Sequence, residues 1–275
     1  MPSKQPPKIF IGVPTGPSKE YAVLYMLAAL RNVDYPKNRL SINFAVTDFG
    51  DAESSAFIKR LKELLSAGNF GCETSIQMTH PIKDDWDRWG PYFTVILNLH
   101  LLRLKFLRGN ADYFWLLGGD NPPPRGTLKR LLETRGDIVS ANINQRVTKA
   151  KEYDLDCNLR YPVYWRYIWT LDDLEYVDGL EPKLKNILRN TWVEFMFLDT
   201  PPPKPDERVI HNCVFGSGCS LVKRKVLEYI GYALGSGGTH SEDLHFCSLA
   251  NLREFDTALN LDARCGHFDE DGKLY

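Results

Sequence analysis

Short apolar runs alternate with longer amphipathic stretches along the first half of this chain. Ile9 to Val13 is continuously apolar and β-branched, which predicts a buried strand. Pro14-Thr15-Gly16-Pro17-Ser18 breaks it. Ser18 is placed to cap a helix from Lys19 to about Arg31, with Tyr21, Leu24, Tyr25, Leu27 and Ala28 on one face. Leu40 to Val46 predicts a second strand, ending at Thr47-Asp48, and Ser54 to Ala67 a second helix. Cys72 to Met78 predicts a third strand. A helix from Pro91 to Arg108 then leads into the aromatic and apolar run Ala111 to Leu117. The alternation continues with a helix over Thr127 to Thr134 and a strand over Asp137 to Asn142. Val214 to Val222 reads as a strand with small residues inside it, followed by a helix near Lys223. A last helix, Glu242 to Asn251, precedes a strand near Thr257 to Asp262. Residues 1–8 are polar and proline-rich and predict a disordered tail; residues 145–205 are irregular and aromatic.

Strand–helix alternation of this kind predicts an α/β fold, a mostly parallel central sheet with helices on both faces. Ligands of such sheets bind beyond the carboxyl ends of the strands. Three predicted strand ends carry small or polar breakers: Pro14-Thr15, Asp48 and Gly118-Gly119-Asp120-Asn121. All three therefore point into one crevice. The last is the most informative, because a buried strand that delivers one carboxylate onto a glycine turn suits a metal or phosphate site. An ordinary Asp-Asn turn that merely ends a strand is the plain alternative.

Composition narrows the class. The chain has 275 residues, 43% of them hydrophobic and 25% charged, enough for one large domain. A formal net charge of -1 gives no global attraction for nucleic acid. The six cysteines contain no Cys-x-x-Cys pair, which excludes a zinc knuckle and predicts buried free thiols in a reducing compartment. No apolar run approaches the ~20 residues of a membrane span, so a cytoplasmic protein is expected, with peripheral membrane contact still open.

Other candidate chemistry is scattered. Glu242-Asp243 opens a helix after the glycine-rich Gly235 to Gly238, a candidate hinge. An acidic pair there is favoured by the helix dipole alone; its functional reading is a general base for an acceptor hydroxyl. His267 follows Gly266 at the end of the last strand. A lone histidine is more often a satisfied structural residue than a ligand. No P-loop, G-x-G-x-x-G or Gly-x-Ser-x-Gly elbow is present. Pro14 to Lys19 is a poor version of the basic glycine loop that a nucleotidyltransferase needs.

The ordered set of segments, from residue 9 to about 268, resembles family 2 glycosyltransferases. Val13-Pro14-Thr15 is similar to their opening, and Leu27 to Leu40 to their helix-to-strand segment. Gly118-Gly119-Asp120 stands where the family carries Asp-x-Asp. Gly216 to Arg224 is similar to its "G-x-G-x-x-x-x-R-R" strand, and Ser241-Glu242-Asp243-Leu244 to its Glu-Asp motif. Two positions depart: Gly118 replaces the first acid, and His245 stands where an acid is common. The resemblance implies a GT-A (Rossmann-like) domain over 9–275, with a nucleotide-binding half at 9–142 and an acceptor-binding half at 143–275. It implies a nucleotide-sugar donor on Pro14, Thr15, Asp48, Gly119, Asp120 and Asn121. A manganese or magnesium ion is implied on Asp120 and His267. The acceptor, a glycan, lipid-linked or small molecule, would meet Gly216, Ser217, Gly218 and Trp165. Asp243 would be the base of an inverting transfer, with Glu242 orienting the acceptor or Asp243. A retaining transferase and a catalytically silent nucleotide or sugar binder are the alternatives.

Overall fold

The computed structural model describes residues 5–81, 91–146, 160–162, 164–166, 206–211, 213–233, 242–268 and 274. The strands are β1 (Ile9–Thr15), β2 (Leu40–Thr47), β3 (Glu73–Thr79), β4 (Tyr113–Leu117), β5 (Ile138–Arg146), β6 (Arg160–Pro162), β7 (Tyr164–Arg166), β8 (Val209–His211), β9 (Cys213–Phe215), β10 (Cys219–Lys223) and β11 (Thr257–Cys265). The helices are α1 (Glu20–Arg31), α2 (Ala52–Ala67), α3 (Pro91–Arg108), α4 (Thr127–Glu133), α5 (Arg224–Tyr229) and α6 (Glu242–Leu252). A central sheet runs in the order β3-β2-β1-β4-β10-β5-β11-β8, with β6 added to β5. β1, β2, β3 and β4 are mutually parallel, as are β5 and β11. β10 runs antiparallel to both of its neighbours, and β8 to β11. The expected mostly parallel α/β sheet is the one observed.

Period-two alternation sends the strand side chains into two cores. Ile9, Ile11, Val13, Ile42, Phe44, Trp115 and Leu117 face one layer, which α1, α2 and α4 cover. Phe10, Phe114 and Leu116 face the other, under α3, α5 and α6. There Phe10 stacks on Phe114 at 5.4 Å, and Phe106 meets both edge-on. Gly12 makes room for this cluster, since a Cβ on it would lie 2.6 Å from Phe114 Cζ.

Several expectations are corrected. Residues 5–8 are not a loose tail: Tyr35 Oη donates to the Pro7 carbonyl, Arg39 Nε to that of Pro6, and the Lys8 amide to Asp112. Ser18 does not cap α1; it lies in a 3-10 turn, Pro17–Lys19, and α1 starts at Glu20. The buried face of α1 is Val23, Met26, Leu27 and Leu30, the i, i+3, i+4, i+7 spacing, whereas Leu24 and Tyr25 are exposed. Val214 to Val222 is not one strand. Gly216-Ser217-Gly218 turns the chain between β9, which pairs with β7, and β10 in the central sheet. Small residues marked a turn there, not a thinned strand. Most of the aromatic 145–205 segment and all of Gly235 to Gly238 lie outside the described residues. Five cysteines are free thiols, four of them buried. Among the described residues no helix is long and apolar enough to cross a membrane.

Candidate active site

The carboxyl ends of β1, β2, β4 and β11 lie at one edge of the sheet. The amino end of β10 joins them, because it runs antiparallel to β4. The two glycine turns meet directly: the Gly118 amide donates to the Gly218 carbonyl at 2.7 Å. The turn after β4 also seals against β1, where a Cβ on Gly119 would lie 2.8 Å from Thr15 Oγ1 and 3.1 Å from the Pro14 carbonyl. Thr15 Oγ1 is itself buried without a hydrogen-bond partner among the described residues. β11 closes the other side, with the Gly266 amide on the Pro122 carbonyl and the Phe268 amide on that of Asp120.

Asn121 explains the two glycines beside it. Its side chain is buried, its Nδ2 donates to the Gly266 carbonyl, and its Oδ1 fills the space above both turns. A Cβ on Gly118 would lie 2.2 Å from that oxygen, and one on Gly218 2.5 Å from it. The first acid of an Asp-x-Asp pair therefore has no room at position 118 unless Asn121 moves.

The expected metal pair is brought together in part. His267 Nε2 lies 3.7 Å from Asp120 Oδ2, and both side chains are largely buried. The same oxygen receives the Lys19 ammonium at 2.5 Å. Burial works against the charged form of Lys19, but the Asp120 carboxylate outweighs it and holds the lysine pKa above its ordinary value. Among the described residues no group of three or more His, Cys, Asp or Glu side chains converges as a metal site would require. With the Asp120 oxygen held by an ammonium and Gly118 in place of the first acid, the donor set among the described residues does not fit a resident divalent ion.

Asp48 sits apart from this cluster. Its Oδ1 accepts from the Gly50 amide, His80 Nδ1 lies 3.6 Å from its Oδ2, and it lines a cleft of about 380 Å³ with residues of α2. A larger cleft of about 930 Å³, between the end of α1 and Arg125, contains none of the carboxylates named here.

The start of α6 supplies the acids. Ser217 Oγ donates to Asp243 Oδ1, tying the β9–β10 turn to the helix. Both Glu242 and Asp243 keep some surface yet sit deep among protein atoms. Burial pushes the Asp243 carboxyl above the usual carboxylate range, against the opposing pull of the Ser217 hydroxyl and amide. Burial, and then the charge of Asp243, pushes Glu242 up to about 8. The two carboxyls are neighbours, and each holds its proton more tightly than an exposed acid would. Beneath them Tyr232 stacks on Phe246 at 4.6 Å, its buried hydroxyl without a partner among the described residues. Burial and the nearby Asp243 push its phenol up, so it stays neutral.

A pH experiment follows. Unfolded Glu242 titrates near 4.5 and folded Glu242 near 8, so between these the folded chain holds a proton that the unfolded chain has lost. That contribution to stability is complete below 4.5 and is lost as pH rises through about 8. Glu242→Gln should therefore gain stability relative to wild type between pH 5 and pH 9, by on the order of a few kcal/mol, in urea titrations at the two pH values. An unchanged difference would contradict the burial of this carboxyl.

Of the site residues that the resemblance implies, the structure brings His267 beside Asp120 and Ser217 onto Asp243. Trp165 is described in its backbone only, paired in register with Val214. Lys19 and Tyr232 were missed as site residues. Lys19 was visible as the basic residue of the turn after β1, but nothing in its spacing announced a partner a hundred positions away.

No protein-family model matches the chain, and comparison with curated proteins finds no match. Solved structures share its fold. S. aureus TarS 1-349 in complex with UDP-GlcNAc is similar at a TM-score of 0.51 and 13% identity, covering 94% of this chain and 57% of its own. The mannosyltransferase PcManGT from Pyrobaculum calidifontis, in complex with GDP-Man and Mn2+, is similar at 0.51 and 14% identity, covering 94% and 56%. This chain thus spans a little over half the length of the chains it resembles. Its fold is the GT-A fold of glycosyltransferases.

Proposed function

We propose that this chain transfers a sugar from a nucleoside-diphosphate donor to an acceptor hydroxyl, with inversion and with Asp243 as general base. The observation that carries the reading is the hydrogen bond that joins the Gly118 turn, which leads to Asp120, to the Gly218 turn, whose Ser217 holds Asp243, at the strand ends of a GT-A sheet. Thr15, Pro14 and Gly119 form the wall against which the donor lies, with Asp48 toward the nucleoside. Asn121 shapes that wall by holding β11 against the β4 turn. The acceptor lies over Gly216, Ser217 and Gly218, with Trp165 on the adjoining strand.

Asp243 takes the proton from the acceptor hydroxyl. The acceptor oxygen forms its bond to the anomeric carbon as the bond from that carbon to the diphosphate oxygen breaks, and the electron pair leaves with the diphosphate. Ser217 orients the carboxylate through its hydroxyl, and Glu242 holds the second proton of the pair. The likeness to proteins solved with UDP-GlcNAc and GDP-Man supports the donor class. Because burial holds the Asp243 carboxyl above the usual carboxylate range, the transfer rate should rise with pH as Asp243 loses its proton.

Thermal shift against UDP-GlcNAc, GDP-mannose and the matching diphosphates tests the reading. A donor that binds only the folded chain raises Tm by RT ln(1 + [L]/Kd) converted to temperature, several degrees at a hundredfold excess over Kd. No shift across a panel of nucleotide sugars would contradict it. A silent binder is the second reading, favoured by Gly118 and by the lysine on Asp120; it predicts a shift with no turnover.

A further inference from the structure

We infer that Lys19, in place of a divalent ion, supplies the positive charge that neutralises the donor diphosphate; the inference rests on the transferase reading above. Three independent features lead to it. Lys19 ends the turn that leaves β1, and its ammonium reaches across the crevice to Asp120 Oδ2 at 2.5 Å, where a metal would need that oxygen. Its side chain is 37% exposed, and the ammonium donates to Asp120 and, at 3.4 Å, to the Tyr21 hydroxyl.

The second feature is steric. Position 118 admits a side chain only if Asn121 moves, because the Asn121 amide occupies the space an acid there would use, and Gly218 is constrained by the same oxygen. The two facts balance in charge. Two carboxylates around a divalent ion sum to zero, and one carboxylate with one ammonium sums to zero as well. Loss of the acid at 118 and gain of the lysine at 19 are thus one substitution in electrostatic terms. An ammonium is a compact point charge well suited to a phosphate oxygen.

The third feature is α1 itself. It begins at Glu20, directly after Lys19, and no side chain caps its amino end. The Glu20 amide donates to the Pro17 carbonyl, and the positive end of the α1 dipole, which follows the carboxyl end of β1, favours an anion held by Lys19. Asp120 then acts as a positioning residue, keeping the ammonium at the strand ends when no donor is bound.

Isothermal titration of UDP, GDP, CDP and ADP into wild-type protein, in EDTA and in excess MnCl2, tests this directly, with Lys19→Met alongside. The expected wild-type affinity for the cognate diphosphate changes less than about twofold between EDTA and manganese. Lys19→Met should bind that diphosphate at least about tenfold more weakly, while binding the matching nucleoside within about twofold of wild type. Abolition of wild-type diphosphate binding by EDTA would overturn the inference alone, whether or not Lys19→Met folds. Equal diphosphate affinity of Lys19→Met and wild type would also overturn it. Failure of all four diphosphates to bind wild type in either buffer would overturn the transferase reading, and this inference with it.

Discussion

Asp243→Asn is expected to lower the rate of sugar transfer by about 10³-fold while leaving donor affinity unchanged. The substitution is isosteric and keeps an oxygen for the Ser217 hydroxyl to meet, so the tie between the β9–β10 turn and α6 survives. What disappears is the carboxylate that the Ser217 hydroxyl holds. The carboxylate sits where burial raises its proton affinity, which makes it a stronger base than an exposed aspartate. Initial rates of nucleoside diphosphate release with acceptor, and donor Kd by titration, separate the two effects. A rate within about threefold of wild type would remove Asp243 from the mechanism. A matched loss of donor affinity would make it a binding residue.

Trp115→Ala is expected to cost about 3–5 kcal/mol, the largest stability effect of any single truncation here. Trp115 lies fully buried at the middle of β4, between β1 and β10, and is the largest side chain of the core. β4 is also the strand that carries Asp120 to the crevice, so a cavity under it loosens the site from below. In a chain of this size the loss corresponds to a Tm lower by roughly 10 °C. Trp115→Phe should lose far less. It keeps most of the ring and removes an indole N–H that has no hydrogen-bond partner among the described residues; burying such a group unpaired costs about 1–3 kcal/mol. Urea titration of both variants checks the pair. A cost for Trp115→Ala within about 1 kcal/mol would show that the neighbouring strands collapse into the space.

The strands of the mostly parallel sheet were legible because buried parallel strands read as continuous apolar runs bounded by glycine and proline. Ile9 to Val13 and Tyr113 to Leu117 are both of this kind. The meeting of the β1 and β4 ends then followed from topology, whereas Asp48 at the β2 end lines a separate cleft. What escaped the sequence was side-chain geometry across long separations. The face of α1 was misjudged because Leu24 and Tyr25 are apolar yet exposed, and Tyr25 spends its ring on Phe268 at 4.5 Å. The Gly216-Ser217-Gly218 turn was taken for part of a strand because apolar residues flank it on both sides. Gly118 was legible as a missing acid but not as a steric requirement, which only the position of Asn121 reveals. The Lys19–Asp120 pair spans 101 residues and leaves no local pattern.

The most direct measurement is proton NMR of an α-linked nucleotide sugar turned over by the wild-type protein in water without an acceptor. The account predicts slow release of nucleoside diphosphate, with the β-anomer of the free sugar appearing first and mutarotating afterwards, and no release by Asp243→Asn. First appearance of the α-anomer would contradict inversion by Asp243, and release at the same rate from Asp243→Asn would contradict the base itself.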